Sequence, residues 1–325
     1  MRILSGMRAT GKLHLGHVLV LEDWKKLQDE GNETFFFVAD WHALTTHKEE
    51  SHIIYQSTLD IVRGYLAAGI DPEKSTIFVQ SAIKEHAELY LLFNMLVSVS
   101  RLERIPTYKE LKDNLSNRDL STAGFLTYPV LQTADILIYK ANAVPVGEDQ
   151  LYHIELSREI ARRFNNLYKE VFPEPDPIVT RIPKLPGTDG RKMSKSYGNI
   201  IMIDENSESL KNKIMPMMTD PARMRRTDPG DPEKCPVWDY HKAFTFNQEE
   251  LDWVVKGCKN AEIGCVQCKK LLLKNMEERL KPIWEKYSKI SDEDVLNVIH
   301  EGNKKASEVA KKTLEEVREA MNLRW

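Results

Sequence analysis

Cysteine, long uncharged runs and charge of one sign are all scarce in this sequence: 325 residues hold four cysteines and carry a net charge of −3. Each scarcity excludes something. The longest stretch free of charged residues is 120–134, and Ser, Thr, Gly, Pro and Gln interrupt it. A bilayer-spanning helix needs ~20 predominantly apolar residues, so no helix is expected to cross a membrane. The amino end reads M-R-I-L-S-G-M-R, with its second arginine where a secretion signal would carry its apolar core. The expected location is therefore cytoplasmic. In that reducing compartment four cysteines do not pair as disulfides, so their placement needs another cause. A net charge so small gives no global attraction to nucleic acid, and any such partner must be held by a local basic patch. What remains, 42% hydrophobic and 29% charged residues, is a globular composition, and the length implies two domains.

The first half alternates β-rich runs with helical patterns, the mark of a parallel sheet wrapped by helices. Strands are expected at 2–7, 34–39, 76–80 and 143–146. Leu15, Val18, Leu19, Trp24 and Leu27 recur at helical spacing before Gly31, and Ile54, Val62, Tyr65 and Leu66 do so before Gly69. The fourth strand leads into G-E-D-Q at 147–150 and a charged helix to about residue 168. Residues 173–190 hold five prolines and two glycines, a run that regular elements do not tolerate, so the domain boundary is placed there. The expected domains are 1–183, α/β with a parallel sheet, and 184–325, all-helical, since 271–287 and 294–323 have helical periodicity without β-rich interruption.

Residues 6–12, G-M-R-A-T-G-K, satisfy most of the phosphate-loop pattern directly after a strand. Leu13 decides against it, because that loop needs a Ser or Thr hydroxyl there for magnesium. An overlapping signal is His14-Leu15-Gly16-His17 at the start of a helix, where free N–H groups and the positive dipole end favour an anion. Two imidazoles three apart share one face and can donate to a triphosphate, while Gly16 lets an adenine ring lie on the backbone. Taken alone, such a pair is as well read as surface histidines or a metal-binding pair. It is accompanied by Lys192-Met193-Ser194-Lys195-Ser196, a basic run after Gly187 and Gly190.

Together, H-x-G-H after the first strand and K-M-S-K-S after the sheet resemble the two signatures of class I aminoacyl-tRNA synthetases. The resemblance covers nearly the whole chain and is strongest to the bacterial-type tryptophanyl enzymes. It is carried further by S-G-M-R-A-T-G-K-L-H-L-G-H, by L-T-Y-P-V-L-Q-T-A-D-I-L at 126–137 and by V-P-V-G-E-D-Q-L-Y-H-I-E-L-S-R at 144–158. It implies a Rossmann-like catalytic domain with a second, all-helical anticodon-binding domain, and a homodimer. It implies ATP with Mg2+, L-tryptophan and tRNA(Trp) as ligands, and ATP-dependent tryptophan–tRNA ligation as the activity. His14 and His17 would hold ATP, and Lys192 and Lys195 would neutralise the departing pyrophosphate, within an ATP site that includes Arg8, Ala9, Thr10, Gly16, Met193, Ser194 and Ser196. Gly147, Glu148 and Asp149 would meet the ribose side and Ile182 the adenine. Asp135 would accept the indole N–H, with Tyr128, Gln150 and His42 orienting the amino acid. Apolar neighbours on both sides of Asp135 independently suggest a buried acceptor awaiting a partner. The chain departs from the common pattern with Arg8-Ala9-Thr10 in place of Gln-Pro-Ser, and with His17 where many tryptophan enzymes have Asn. Two other functions compete: a tyrosine-specific class I synthetase, and a non-catalytic RNA-binding or redox-sensing relative, against which the intact signatures count.

Cys235, Cys258, Cys265 and Cys268 fall within 34 residues, spaced C-x22-C-x6-C-x2-C, and the rest of the chain has none. Clustering argues for a shared ligand, either tetrahedral zinc or a [4Fe–4S] cluster, and spacing does not choose. A subset of tryptophanyl-tRNA synthetases resembles this chain in carrying such a set with [4Fe–4S], which favours the cluster, with zinc as the alternative occupant. Residues 256–289 hold nine Lys or Arg against four Glu, a basic run that would attract tRNA phosphates, Lys256, Lys259, Lys269 and Lys270 among them.

Overall fold

The structure is a computed structural model that describes residues 1–106, 122–180, 185–193 and 197–323. The chain divides into two compact units. The first comprises Met1–Gly11, Leu21–Arg181 and Ser291–Trp325. Its centre is a five-stranded parallel sheet in the order β3-β2-β1-β4-β5, with β1 Arg2–Arg8, β2 Glu33–Ala39, β3 Ser75–Val79, β4 Ala143–Val146 and β5 Asp176–Val179. β2 is buried along all but its first residue, which is why E-T-F-F-F-V-A reads as a continuous apolar run rather than an alternation. The sheet is flanked by the carboxyl part of α1 (Leu15–Asp29), by α2 (Asp40–His47), α3 (Ile54–Ala67), α4 (Glu85–Asn94), α5 (Val99–Leu102), α6 (Ala123–Ile138) and α7 (Leu151–Leu167). Trp24 of α1 stacks on Phe36 at 4.5 Å and meets Tyr65 of α3 edge-on at 5.3 Å.

Four strands agree with the sequence reading, and β5 corrects it. It lies inside the proline-rich stretch that was expected to hold no regular element. Asp176 N–H donates to Asn142 O and Thr180 N–H to Val146 O, so the even-numbered residues turn their N–H groups to β4. Pro177 lies out of phase on an edge strand, where its missing N–H costs no ladder bond. A single cut at 183/184 also differs from the observed division. The helix α12 (Asp292–Ala320) packs along β3 and belongs to the first unit. Asn303 Oδ1 accepts the Val79 N–H at 2.9 Å, covering the exposed edge of the sheet.

The second unit comprises Lys12–Val20 and Ile182–Ile290. Its helices are α8 (Ser207–Ile214), α9 (Pro236–Phe244), α10 (Gln248–Lys259) and α11 (Cys265–Tyr287). Leu210, Tyr240, Phe244, Leu272, Met276 and Leu280 are buried at its core. Two members of the expected basic patch are structural instead. Lys269 is buried and donates to Met215 O at 2.8 Å and Met217 O at 2.6 Å, satisfying carbonyls just past the end of α8. Arg279 donates to Ala243 O and lies over the rings of Phe244 and Phe246.

Candidate active site

In the first unit, α6 carries Tyr128, Gln132 and Asp135 at i, i+4 and i+7, one face of the helix. Asp135 is 1% exposed. Its Oδ1 accepts from His86 Nδ1 at 2.6 Å and Gln80 Nε2 at 2.8 Å, and its Oδ2 from His42 Nε2 at 2.8 Å and Gln80 Nε2 at 2.9 Å. Burial raises its pKa, but the hydrogen bonds and charges of His42 and His86 outweigh that and bring it to about 2. The carboxylate is therefore ionised and acceptor-only. The acceptor awaiting a partner that the sequence suggested is replaced by one already surrounded by three donors. Gln80 cannot turn its amide over, because its Oε1 accepts from Trp41 N–H at 3.1 Å and His42 N–H at 3.4 Å. Of the three donors only His42, 8% exposed, is not wholly enclosed.

Beside this network Tyr128 Oη lies 3.4 Å from His153 Nε2, and His153 Nδ1 donates to Gln132 Oε1 at 2.9 Å. Burial, with His42 adding to it, lowers the pKa of His153 to about 4, so the ring is neutral at pH 7. The His42 ring meets Tyr128 edge-on at 6.5 Å. Arg8 ends β1 with its side chain reaching solvent; crowding by protein atoms lowers its guanidinium pKa, with Tyr128 opposing the shift. Ala9 is buried and Thr10 N–H donates to Arg8 O. At the end of β4, Gly147 opens a tight turn in which Gln150 N–H donates to Gly147 O. A Cβ on Gly147 would meet Asp149 Oδ1 at 2.7 Å. Glu148 and Asp149 are exposed, and Gln150 Nε2 donates to Asp149 Oδ2 at 2.7 Å. The carboxyl ends of β1 and β4 flank the point where strand order reverses, which is where open parallel sheets bind ligands.

In the second unit the H-L-G-H turn is locked by its own backbone. Gly16 N–H donates to His14 Nδ1 and His14 N–H to His17 Nδ1, both at 3.1 Å. Each ring therefore carries its hydrogen on Nε2, as a donor. A Cβ on Gly16 would stand 2.9 Å from the His14 ring, so glycine is required for the turn itself, apart from any adenine. Leu15 N–H donates to Ile201 O, Ile203 N–H to Leu13 O, and Lys12 pairs with Asp204 at 2.6 Å. The histidine turn is thus tied to the segment that follows the second signature. There Gly187 N–H donates to Arg191 O, and Asn199 Nδ2 donates to Asp189 Oδ1 at 2.8 Å and Lys192 O at 3.1 Å. Lys192 is exposed and makes no ion pair among the described residues. Met193 is half-buried. Ile182, Ser194, Lys195 and Ser196 lie outside the described residues.

The four cysteines also fall in the second unit. Cys235 precedes α9, Cys258 lies in α10, and Cys265 and Cys268 form the first turn of α11. Burial, with the neighbouring thiols adding to it, pushes Cys268 up to about 12 and raises Cys235 and Cys258. Arg223 Nη1 lies 3.8 Å from Cys258 Sγ and 4.0 Å from Cys265 Sγ. Its Nε is buried without a hydrogen-bond partner. Two sulfurs beside a guanidinium with an orphaned N–H, and two more thiols in the same unit, suit an anionic, sulfur-ligated group by chemistry. By position they do not yet form one: among the described residues no three His, Cys, Asp or Glu side chains are disposed to hold a metal ion.

Gln80, His86, Gln132 and His153 were not singled out in the sequence. Gln132 had a signal, its helical spacing between Tyr128 and Asp135. Gln80 ends a strand at the sheet's carboxyl edge, a position with a functional prior. His86 had none, since an isolated histidine in a helix predicts nothing.

A Rossmann-like parallel sheet with these paired signatures defines a class I synthetase, and comparison with known proteins agrees: the family of class I tRNA synthetases for tryptophan and tyrosine matches residues 1–281. The chain is 69% identical to the tryptophan–tRNA ligase of Thermotoga maritima over 99% of both chains. It is 46% identical to that of Aquifex aeolicus over 99% of this chain and all of the other. Among solved structures, the tryptophanyl-tRNA synthetase of Campylobacter jejuni complexed with ADP and tryptophan matches with a TM-score of 0.85 at 31% identity, covering 99% of this chain and 100% of that one. The chain belongs to the bacterial-type tryptophanyl-tRNA synthetases of class I.

Proposed function

We propose that the Asp135 pocket recognises the amino acid in a chain whose activity is that of a tryptophan–tRNA ligase. The reaction activates L-tryptophan with ATP to tryptophanyl-adenylate and transfers it to tRNA(Trp). The tryptophan carboxylate attacks the α-phosphorus, the bond to the bridging β-oxygen breaks, and pyrophosphate leaves with the electron pair. The terminal adenosine of tRNA then takes the acyl group and AMP leaves. No enzyme nucleophile is required. Rate comes from in-line positioning and from cations on the leaving group. Mg2+ arrives with ATP and neutralises its phosphates.

Asp135 accepts the indole N–H. The supporting observation is a buried, ionised carboxylate whose solvent-reaching partner, His42, is the donor an incoming N–H can replace at Oδ2. Tyr128, Gln150 and, once displaced from Oδ2, His42 orient the polar end of the amino acid. Arg8, Ala9 and Thr10 belong to the ATP site, as do Gly147, Glu148 and Asp149 on the ribose side and Ile182 at the adenine. His14 and His17 present Nε2–H donors to the phosphates across Gly16, and Lys192 and Lys195, with Met193, Ser194 and Ser196, form the cationic loop on pyrophosphate.

By their donor chemistry Cys235, Cys258, Cys265 and Cys268 would hold a [4Fe–4S] cluster, with zinc the alternative occupant. No step of the reaction runs through it. Tryptophan binding falls to the unit built on the parallel sheet, and the signature loop and the anticodon to the helical unit that contains Ile182–Ile290. The enzyme works in the cytoplasm as a homodimer. Pyrophosphate exchange on the purified chain tests the whole reading: exchange should depend on tryptophan. Dependence on tyrosine instead, or on no amino acid, overturns it, and iron and acid-labile sulfide content decides between cluster and zinc.

A further inference from the structure

We infer that His86 is a positioning residue for amino-acid recognition, oriented by Tyr139 so that Asp135 is held as a fixed acceptor. This rests on Asp135 being the acceptor for the indole N–H. His86 is the second residue of α4, wholly buried, with its ring 5.4 Å from that of Tyr139, 6.2 Å from Phe78 and 6.5 Å from Phe37. Its Nε2 lies 2.7 Å from Tyr139 Oη and its Nδ1 2.6 Å from Asp135 Oδ1. The direction of the bond to Asp135 follows from chemistry. Asp135 is ionised and can only accept, so Nδ1 carries the hydrogen. Tyr139 is enclosed, and burial raises its pKa well above the usual phenol range, so its hydroxyl keeps its proton while it holds Nε2 at 2.7 Å. Tyr139 therefore fixes the plane of the His86 ring, and His86 fixes Oδ1.

The division of labour between the two oxygens follows. Oδ1 is gripped by His86 and Gln80, both fully enclosed, while Oδ2 shares Gln80 with the solvent-reaching His42. A ligand N–H arriving at Oδ2 replaces one donor and leaves the carboxylate plane unchanged, because the opposite oxygen is held by rigid aromatic packing. Without His86 the carboxylate can rotate about its own Cβ–Cγ bond, and the acceptor is no longer aimed.

A simple loss of stability lowers activity toward every amino acid alike, so the test is a ratio. Tryptophan is compared with β-(3-benzothienyl)alanine, which has sulfur in place of the indole N–H, by kcat/KM in amino-acid-dependent pyrophosphate exchange. His86→Ala should shrink the preference for tryptophan by about tenfold, with the KM for ATP unchanged. His86→Asn, whose amide N–H can stand where Nδ1–H stood, should restore most of it. Tyr139→Phe, which removes one oxygen from an intact packing unit, should shrink the ratio by about threefold and carries the test if His86→Ala does not fold. Both activities falling together at an unchanged ratio in these variants overturns the inference. Asp135→Ala is the control: if it collapses the ratio while the His86 and Tyr139 variants do not, only the positioning role fails. If Asp135→Ala leaves the ratio intact, the recognition role of Asp135 itself fails, and this inference with it.

Discussion

Asp135 is held by three donors, and any change to it has two effects that must be separated. In the proposed role Asp135→Ala removes the acceptor for the indole N–H, a bond to a charged group worth about 1.5–3 kcal/mol, so kcat/KM for tryptophan should fall roughly ten- to a hundredfold while the KM for ATP stays near its original value. It also strands His42, Gln80 and His86, so its melting temperature should fall; Asp135→Asn keeps the shape and should lose the activity with a smaller drop. Normal tryptophan-dependent exchange in either variant would remove Asp135 from specificity. Lys192 calls for the opposite pattern. It is exposed and without an ion pair among the described residues; on the proposed role it acts as charge develops on pyrophosphate, so Lys192→Ala should lower kcat for adenylate formation more than it raises the KM for tryptophan. Equal, small changes in both parameters would place it outside the transition state. The sequence revealed such residues unevenly. His14 and His17 stood out because their turn is local, and Asp135 because apolar residues flank it within the L-T-Y-P-V-L-Q-T-A-D-I-L stretch that carries the resemblance. Gln80 and His86 reach Asp135 across 55 and 49 residues of chain, and no pattern of spacing announces a contact of that range.

At the scale of elements, α12 approaches β3 so closely that only glycine fits at one position. A Cβ on Gly302 would stand 1.6 Å from Ile77 O, and backbone cannot move aside as a flexible side chain does. Gly302→Ala must push the helix off the strand, so it should destabilise by about 3 kcal/mol or more despite the better helix propensity of alanine. A denaturant midpoint equal to or above the wild-type value would show that the helix slides without cost. The signal for this packing was present in the sequence: Gly302, Ala306 and Ala310 form a small-residue stripe at i, i+4 and i+8, and Thr313 and Val317 continue the buried face. Read as helical periodicity alone, it gave the correct element and no partner for it. β5 was hidden for a different reason. Proline density argued against a strand, and only its place at the sheet edge, which the chain order does not disclose, makes Pro177 harmless.

For the molecule as a whole, assembly and acid stability each follow from something on the surface or in the interior of the first unit. Leu91 and Met95 at α4, Val99 in α5 and Tyr152 in α7 are all more than half exposed, Met95 at 68%, and Arg101 and Glu159 tie α5 to α7 at 2.7 Å. Apolar groups displayed on joined elements are what a subunit interface covers. Sedimentation should give the dimer mass, and Met95→Glu should shift it toward the monomer; a wild-type monomer at micromolar concentration would refute the homodimer. The acid limb of stability is set in part by His153, with a pKa of about 4 in the native protein against ~6.5 in an unfolded chain. As pH falls through 6.5 the unfolded chain takes up this proton and the folded one does not, so folding loses free energy from there down to pH 4 and no more below it. The lost stability from this one ring amounts to about 3 kcal/mol. The melting temperature should therefore fall between pH 7 and pH 4 more steeply in the native chain than in His153→Gln, which has no proton to gain and keeps a donor for Gln132. Parallel curves for the two proteins across that window would mean that the buried ring is protonated as readily as a free one.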